Sequence, residues 1–328
     1  MARVVVTGGN GFIGSHLVDR LLRRGDEVVV FDSQEPHPQI ASSWEGVEEV
    51  RGSVCSPDQL AAAIRPGVDV VYHLAAVVGV DRYLASPLDV IDVNFTGTRN
   101  VLDLAERTGA KVVLASTSEL FGKNPAVPWK EDADRILGTT EADRWSYSSS
   151  KALAEHLTFG YMRQRGLNAS IIRYFNVYGP RQRVSFLVSR SVVRALRGEA
   201  PVVYDQGRQT RCFTYIDDAI DATIEVGTRS EADGECFNVG SSDEVAIRDV
   251  VDLIVELVGG GVGSTSIDTQ DEFGASYQDL DRRVPDTGKV FAQLGWKSST
   301  SLREGLERTI RWARENPWWL EQPEPNAG

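Results

Sequence analysis

Cysteine is scarce: Cys55, Cys212 and Cys236 are the three in 328 residues, far apart and without C-x-x-C spacing. An odd number so placed excludes a disulfide framework and a cysteine zinc site, and leaves thiols expected to be buried. The four histidines, His16, His37, His73 and His156, lack partners at metal-ligand spacing, so no metal is expected. Positive charge is in deficit, 35 Lys and Arg against 47 Asp and Glu, for a formal charge of −12. Such a surface repels nucleic acid and anionic membranes, so any phosphate site has to be built locally. No apolar run approaches the ~20 residues that span a bilayer. The strongest, Val68 to Val80, is broken by Asp69 and His73 and reads as a core strand. With no apolar signal segment after the N-terminus, a cytoplasmic protein is expected.

What is present is a βαβ rhythm. Nearly all-apolar β-branched runs at Arg3–Thr7, Glu27–Phe31, Val68–Leu74, Lys111–Ser116 and Ala169–Arg173 suit parallel strands covered on both faces. Helical patterns lie between them at Phe12–Arg24, Leu88–Arg107 and Ser146–Arg165, closed by Gly25, Gly109 and Gly166. The expected class is α/β, a doubly wound parallel sheet with a smaller C-terminal lobe. The sheet domain takes residues 1–179 and 209–240, including one return to the sheet near Phe213–Val239. The lobe takes 180–208 and 241–320, with helices at Arg248–Val258 and Leu302–Glu315. Residues 321–328 read as a disordered tail, and Trp312, Trp318 and Trp319 as packing anchors.

Val4-Val5-Val6 runs into Thr7-Gly8-Gly9-Asn10-Gly11-Phe12-Ile13-Gly14 and then an amphipathic helix. Glycines let the backbone approach a pyrophosphate, which then sits on the helix N-terminus. Asp32 follows at the next strand end, 18 residues after Gly14, where a carboxylate accepts both ribose hydroxyls and repels a 2′-phosphate. NAD is therefore favoured over NADP.

Tyr147 and Lys151, four apart, share one helical face. Ala115-Ser116-Thr117-Ser118-Glu119 ends the Lys111 strand, on the side of the sheet where ligands bind. Hydroxyl, phenol and ammonium converging there could take the proton of a sugar hydroxyl as hydride leaves its carbon for the nicotinamide. Lys151 and an oxidised nicotinamide, both cationic, would lower the Tyr147 pKa so that a phenolate acts as base. His73, ending an apolar strand, reads as a core or cofactor-lining residue.

With these motifs stand His73-Leu74-Ala75-Ala76, Asn94-x-x-Gly97-Thr98, Arg173-Tyr174-Phe175-Asn176-Val177-Tyr178-Gly179-Pro180 and Gln209-Thr210-Arg211-Cys212-Phe213. Together they resemble the extended short-chain dehydrogenase/reductases that act on nucleotide sugars, over nearly the whole chain. The resemblance implies a Rossmann-type fold with NAD lined by Gly8, Gly11, Phe12, Ile13, Gly14, Asp32, Ser53, Val54, Leu74, Ala75, Ala76, Asn94, Ser116, Tyr147 and Lys151. Where many members carry an aspartate at the adenine, this chain has Gly52-Ser53-Val54, so Ser53 or the Val54 backbone has to serve. It also implies a homodimer through the helices near Leu88–Arg107 and Ser146–Arg165. The nucleoside diphosphate falls to Asn176, Arg183 and Arg211, with Tyr83 and Tyr277 near the substrate.

Members share oxidation of the sugar C4 hydroxyl and then diverge. Hexose 4,6-dehydratases usually carry Thr-Asp-Glu where this chain has Thr117-Ser118-Glu119, and a serine hydroxyl is a poor general acid near neutral pH. Ser-Thr-Ser-Glu before Leu120-Phe121-Gly122 is instead similar to UDP-glucuronic acid decarboxylases. So are Asp143-Arg144-Trp145-Ser146-Tyr147 and Tyr277-Gln278-Asp279-Leu280-Asp281-Arg282-Arg283-Val284-Pro285. In that reading Tyr147 is the base, Lys151 lowers its pKa, and Thr117 bonds the C4 oxygen. Ser118, Glu119 and Arg283 surround the sugar carboxylate, Glu119 being protonated or repelling it. The partners implied are a UDP-sugar and, in the homodimer, a second copy of the chain. Alternatives are a UDP-hexose dehydratase or 4-epimerase on the same Tyr147/Lys151 pair, and a non-catalytic NAD-binding regulatory protein.

Overall fold

The computed structural model describes residues 1–328 except 80, 81, 83, 84, 260, 262, 270–279 and 324–328. The expected strands form β1 Arg3–Thr7, β2 Glu27–Asp32, β4 Val70–His73, β5 Lys111–Thr117 and β6 Ala169–Tyr174. With β3 Glu48–Arg51 and a last strand, Cys236–Val239, they make one parallel sheet in the order Cys236–Val239, β6, β5, β4, β1, β2, β3. β3 escapes a search for apolar runs because it is the sheet edge: Glu-Glu-Val-Arg, no residue of it buried. Alternate side chains divide the core. Val4, Val6, Val28 and Val30 join the cluster on one face, while Val5, Val29 and Phe31 join the cluster on the other, the two-residue period of a strand buried on both sides.

Strand order reverses between β1 and β4, which opens a crevice beyond their carboxyl ends. Helix α1, Phe12–Arg23, starts at that crevice. The expected Leu88–Arg107 helix is continuous but not uniform: Pro87–Ile91 and Gly97–Thr108 are α-helical, and Asp92–Thr96 between them is a π-helical turn. The helix that carries Tyr147 and Lys151 runs Arg144–Arg165 and ends on Gly166 in the left-handed region.

Beyond Gly179 come the Leu187–Leu196 and Ile247–Val258 helices and a small sheet of Thr210–Cys212, Glu244–Ala246 and Arg282–Arg283. The return to the sheet is the Cys236–Val239 strand alone, since Thr214–Tyr215 pairs with Val177–Tyr178 outside the main sheet. The smaller lobe has no separate core: Val188, Val192, Val250, Ile254 and Leu306 lie in the same cluster as Val4 and Leu17.

The tail expectation needs correction at its start. Arg197 holds the carbonyls of Leu320 and Gln322, so the chain is tied down through 322, and 324–328 lie outside the described residues. Trp319 is fully buried and donates to the Gln182 carbonyl at 2.9 Å, an anchor as expected. Cys212 and Cys236 are buried, but Cys55 only partly. No described helix is long and apolar enough to cross a membrane.

Candidate active site

The glycine turn is shaped by two different demands. Gly8, at φ +72°, and Gly14 are required by the protein itself: a Cβ would lie 2.7 Å from Ala75 N at the first and 2.1 Å from Gly8 O at the second. At Gly11 a Cβ would meet only Gly8 O, at 3.2 Å, with open space beyond. Gly11 is also the N-cap of α1, with no side-chain cap and no acid in the first turn. A 12-residue helix is thus left with free N–H groups facing that space, as a pyrophosphate requires. Asp32 borders a cleft of about 330 Å³ with Asn10, Gln34 and Arg51. Its carboxylate accepts from the Asn10 and Gln34 amides, each at 3.0 Å, and burial raises its pKa. These residues fit a dinucleotide. Ser53 fits less directly: its N–H donates to Gln59 and its hydroxyl accepts from the Cys55 amide.

A buried chain of hydrogen bonds joins the crevice to the Tyr147 helix. Thr98 Oγ1 donates to the Asn94 carbonyl at 2.6 Å, so His73 Nε2 must donate to Thr98 and His73 Nδ1 must accept from Thr7. Burial, with Lys151 assisting, lowers His73 to about pKa 3, which keeps it a neutral structural bridge. Asn94, in the π turn, accepts from the Val77 amide and donates to Ser150, which donates to the Tyr147 carbonyl. π turns often mark functional sites, and here the turn aims Asn94 between two segments that flank the crevice.

Tyr147, on that helix, faces Thr117 at the end of β5, whose side chain favours the charged phenol. Lys151, one turn on, donates from Nζ to the Ala115 carbonyl at 2.9 Å. Burial lowers Lys151 to about pKa 8, against an upward pull from Glu155. In the protein alone, burial and then Glu119 raise the Tyr147 pKa, and Thr117 and Arg283 oppose this. The phenol is therefore neutral here, and added positive charge at the crevice is needed to lower it. Ser116 Oγ donates to Glu155, itself in a bidentate pair with Arg173, so that hydroxyl serves the scaffold. Leu74 and Ala75 are tied to Thr7 by their amides.

Glu119 takes one of its two expected states. Arg144 Nη1 lies 2.5 Å from one carboxylate oxygen and Arg283 Nη1 lies 3.3 Å from the other. Burial raises its pKa, but the two guanidinium groups more than offset this and bring it to about 2. Glu119 is ionised, not protonated, and the cluster carries a net positive charge. Ser118 is buried beside it. Arg144 was not singled out as a site residue from the sequence, although its place three residues before Tyr147 puts it on that side of the helix.

Arg283 stands opposite Arg211 in the register of two parallel strands, which sets the Glu119 cluster next to a second cleft. That cleft, about 180 Å³, is lined by Asn176, Arg190, Tyr204, Gln209, Arg211 and Phe213 among others. Arg190 lies over the Tyr204 ring at 5.2 Å. Asn176 adopts φ +37° and donates to the Cys212 carbonyl. Arg183 is exposed, with Nη1 3.3 Å from the Val78 carbonyl. Gln209 opens a motif quoted from the sequence, whereas Arg190 and Tyr204 went unrecognised because a lone arginine and a tyrosine 14 residues on make no motif. Tyr83 and Tyr277 lie outside the described residues, and no metal-holding cluster occurs among the described residues.

Comparison with known proteins follows the same lines. UDP-N-acetyl-alpha-D-glucosaminuronate decarboxylase of Bacillus cytotoxicus is 36% identical over 321 residues, covering 95% of this chain and 98% of that one. UDP-glucuronic acid decarboxylase 1 of Xenopus tropicalis is 33% identical, covering 98% and 76%. The structure of MoeE5 in complex with UDP-glucuronic acid and NAD superposes with a TM-score of 0.83 at 29% identity, covering 96% and 100%. Residues 4–240 match a family description in full agreement with the crevice, the glycine turn and the Tyr147/Lys151 pair: the chain belongs to the NAD dependent epimerase/dehydratase family.

Proposed function

We propose that the protein is an NAD-dependent decarboxylase of UDP-glucuronic acid. The observation that carries this reading is the Arg144–Glu119–Arg283 cluster beside Tyr147 and Thr117. Two arginines against one carboxylate leave a net positive pocket, which suits a sugar with a carboxylate at C6 and is wasted on a hydroxymethyl group. Dehydration has no acid: Ser118 stands in its place, and Glu119 at about pKa 2 carries no proton near neutrality.

Bound NAD supplies the acceptor for the C4 hydride and its return, and the return decides between UDP-4-keto-pentose and UDP-xylose as product. Tyr147, deprotonated once positive charge in the crevice lowers its pKa, takes the C4 hydroxyl proton as phenolate while Thr117 holds the same oxygen. Lys151 fixes the helix against β5 and, with NAD bound, would add to the positive charge that lowers the phenol pKa. Once C4 is a carbonyl, the C6 carboxylate is that of a β-keto acid. The C5–C6 bond breaks, carbon dioxide leaves, and the electron pair passes to the C4 oxygen as an enolate that Thr117 and Tyr147 stabilise by hydrogen bonds. C5 then takes a proton from water ordered by Glu119. Arg283 and Ser118 hold the carboxylate until it leaves, and the cleft beside Arg211 holds the nucleoside diphosphate.

A homodimer in the cytoplasm completes the reading. Leu88, Ile91 and Leu153 are exposed at 75%, 42% and 48% on the helices expected at the dimer contact. The test is mass spectrometry of UDP-glucuronic acid, UDP-N-acetylglucosaminuronic acid and UDP-glucose after incubation with enzyme and NAD. Loss of carbon dioxide from a uronate supports the proposal, and its substrate preference reads the C2 substituent. A uronate of unchanged mass with inverted C4 would make the enzyme a 4-epimerase, and water loss from UDP-glucose a dehydratase.

A further inference from the structure

The two arginines on Glu119 are not equivalent. Arg144 makes the short contact, 2.5 Å, with its side chain 2% exposed, and it sits on the Tyr147 helix. Its guanidinium also lies 5.4 Å from the Trp145 ring centre, a buried ring that limits its movement. Arg283 makes the longer contact, 3.3 Å, from the smaller lobe. Its Nε is buried and has no hydrogen-bond partner among the described residues. One guanidinium is therefore committed to Glu119, while the other retains a donor without a partner.

We infer that Arg144 is a positioning residue for decarboxylation, acting through Glu119. It fixes Glu119 in its ionised form and at one angle, so that Arg283 is not drawn wholly onto Glu119 and keeps donors for the substrate carboxylate. This rests on the uronate reading above. Both roles follow from charge balance. Without Arg144, Glu119 has only Arg283 to offset its burial, so the two close into a one-to-one pair, the pocket loses its net charge, and the incoming carboxylate meets a neutral site. Glu119 would also take up a proton at higher pH and cease to order the water that protonates C5. The division matches origin in the fold. The committed arginine and the base share one rigid helix, whereas the substrate-facing arginine comes from the lobe that holds the nucleotide.

The test compares wild type, Arg144→Met, Arg144→Lys, Glu119→Gln and the Arg144→Met/Glu119→Gln double variant on UDP-glucuronic acid, with pH profiles of kcat/KM. Arg144→Met is expected to lower kcat/KM about 100-fold, Arg144→Lys to recover part of this, and the acid limb of the Arg144→Met profile to move upward. The double variant is expected to be no worse than Glu119→Gln alone, because Arg144 acts through Glu119. Losses that multiply in the double variant, or an acid limb that stays in place, would overturn the proposal while leaving decarboxylation intact. A wild-type enzyme that does not decarboxylate either uronate would remove the reading beneath it. Thermal unfolding of each variant, measured in parallel, separates a fold defect from lost positioning, since a fold defect would not be restricted to variants that retain Glu119.

Discussion

Lys151 Nζ donates to the carbonyl of Ala115 at 2.9 Å, which ties the catalytic helix to β5 two residues before Thr117. The bond makes Lys151 a strut as well as a charge. Because burial holds it at about pKa 8, its proton is lost as pH rises through that value. The kcat/KM of the free enzyme is therefore expected to fall above about pH 8, measured by initial rates across pH. Lys151→Met should show a low rate without that limb.

Tyr147→Phe removes the proton acceptor without removing the ring from its buried place. Activity should drop about 10²- to 10⁴-fold with NAD still bound and thermal stability little changed. A Tyr147→Phe enzyme of near-normal rate would mean that another group takes the C4 proton.

Gly11 and Gly14 are expected to separate cofactor binding from folding. A methyl at Gly14 would collide with Gly8 O, so Gly14→Ala should cost about 3 kcal/mol of stability. Gly11→Ala collides with no such backbone contact under 3.2 Å, so it should fold and lose NAD. Thermal unfolding and NAD content of the purified variants check both.

Acid stability should report Glu119. Its folded pKa, about 2, lies below the ordinary 4.5. Between these values the unfolded chain binds more protons, so the stabilisation is present above pH 4.5 and is lost as pH falls toward 2. Glu119→Gln should flatten that part of a stability-against-pH curve.

The Arg173–Glu155 pair is bidentate, at 2.9 and 2.6 Å, and both side chains are nearly buried. Arg173→Met leaves a buried carboxylate whose remaining hydrogen-bond donor among the described residues is Ser116, and should cost about 3–5 kcal/mol, read by denaturant unfolding. Loss of little stability would mean that water reaches Glu155.

Much of this site was legible in the sequence because its parts are local. Gly8 to Gly14, Thr117 to Glu119, and Tyr147 with Lys151 each lie within one turn or one helical face, and spacing alone places them. The edge strand Glu48–Arg51 was not legible, since an exposed edge carries no apolar run. Nor was the ionised state of Glu119, which depends on Arg144 and Arg283 arriving from 25 and 164 residues away. Sequence spacing finds groups that share an element; the charge state of a buried group is set by whatever the fold packs around it.

The central claim is that the C6 carboxylate leaves as carbon dioxide after Tyr147 acts at C4. The most direct measurement is carbon-13 NMR of UDP-glucuronic acid labelled at C6, incubated with the enzyme and NAD. The account predicts that the label appears as carbon dioxide and bicarbonate with wild type and stays on the sugar with Tyr147→Phe. Label retained on the sugar by wild-type enzyme that nevertheless turns the substrate over would contradict it.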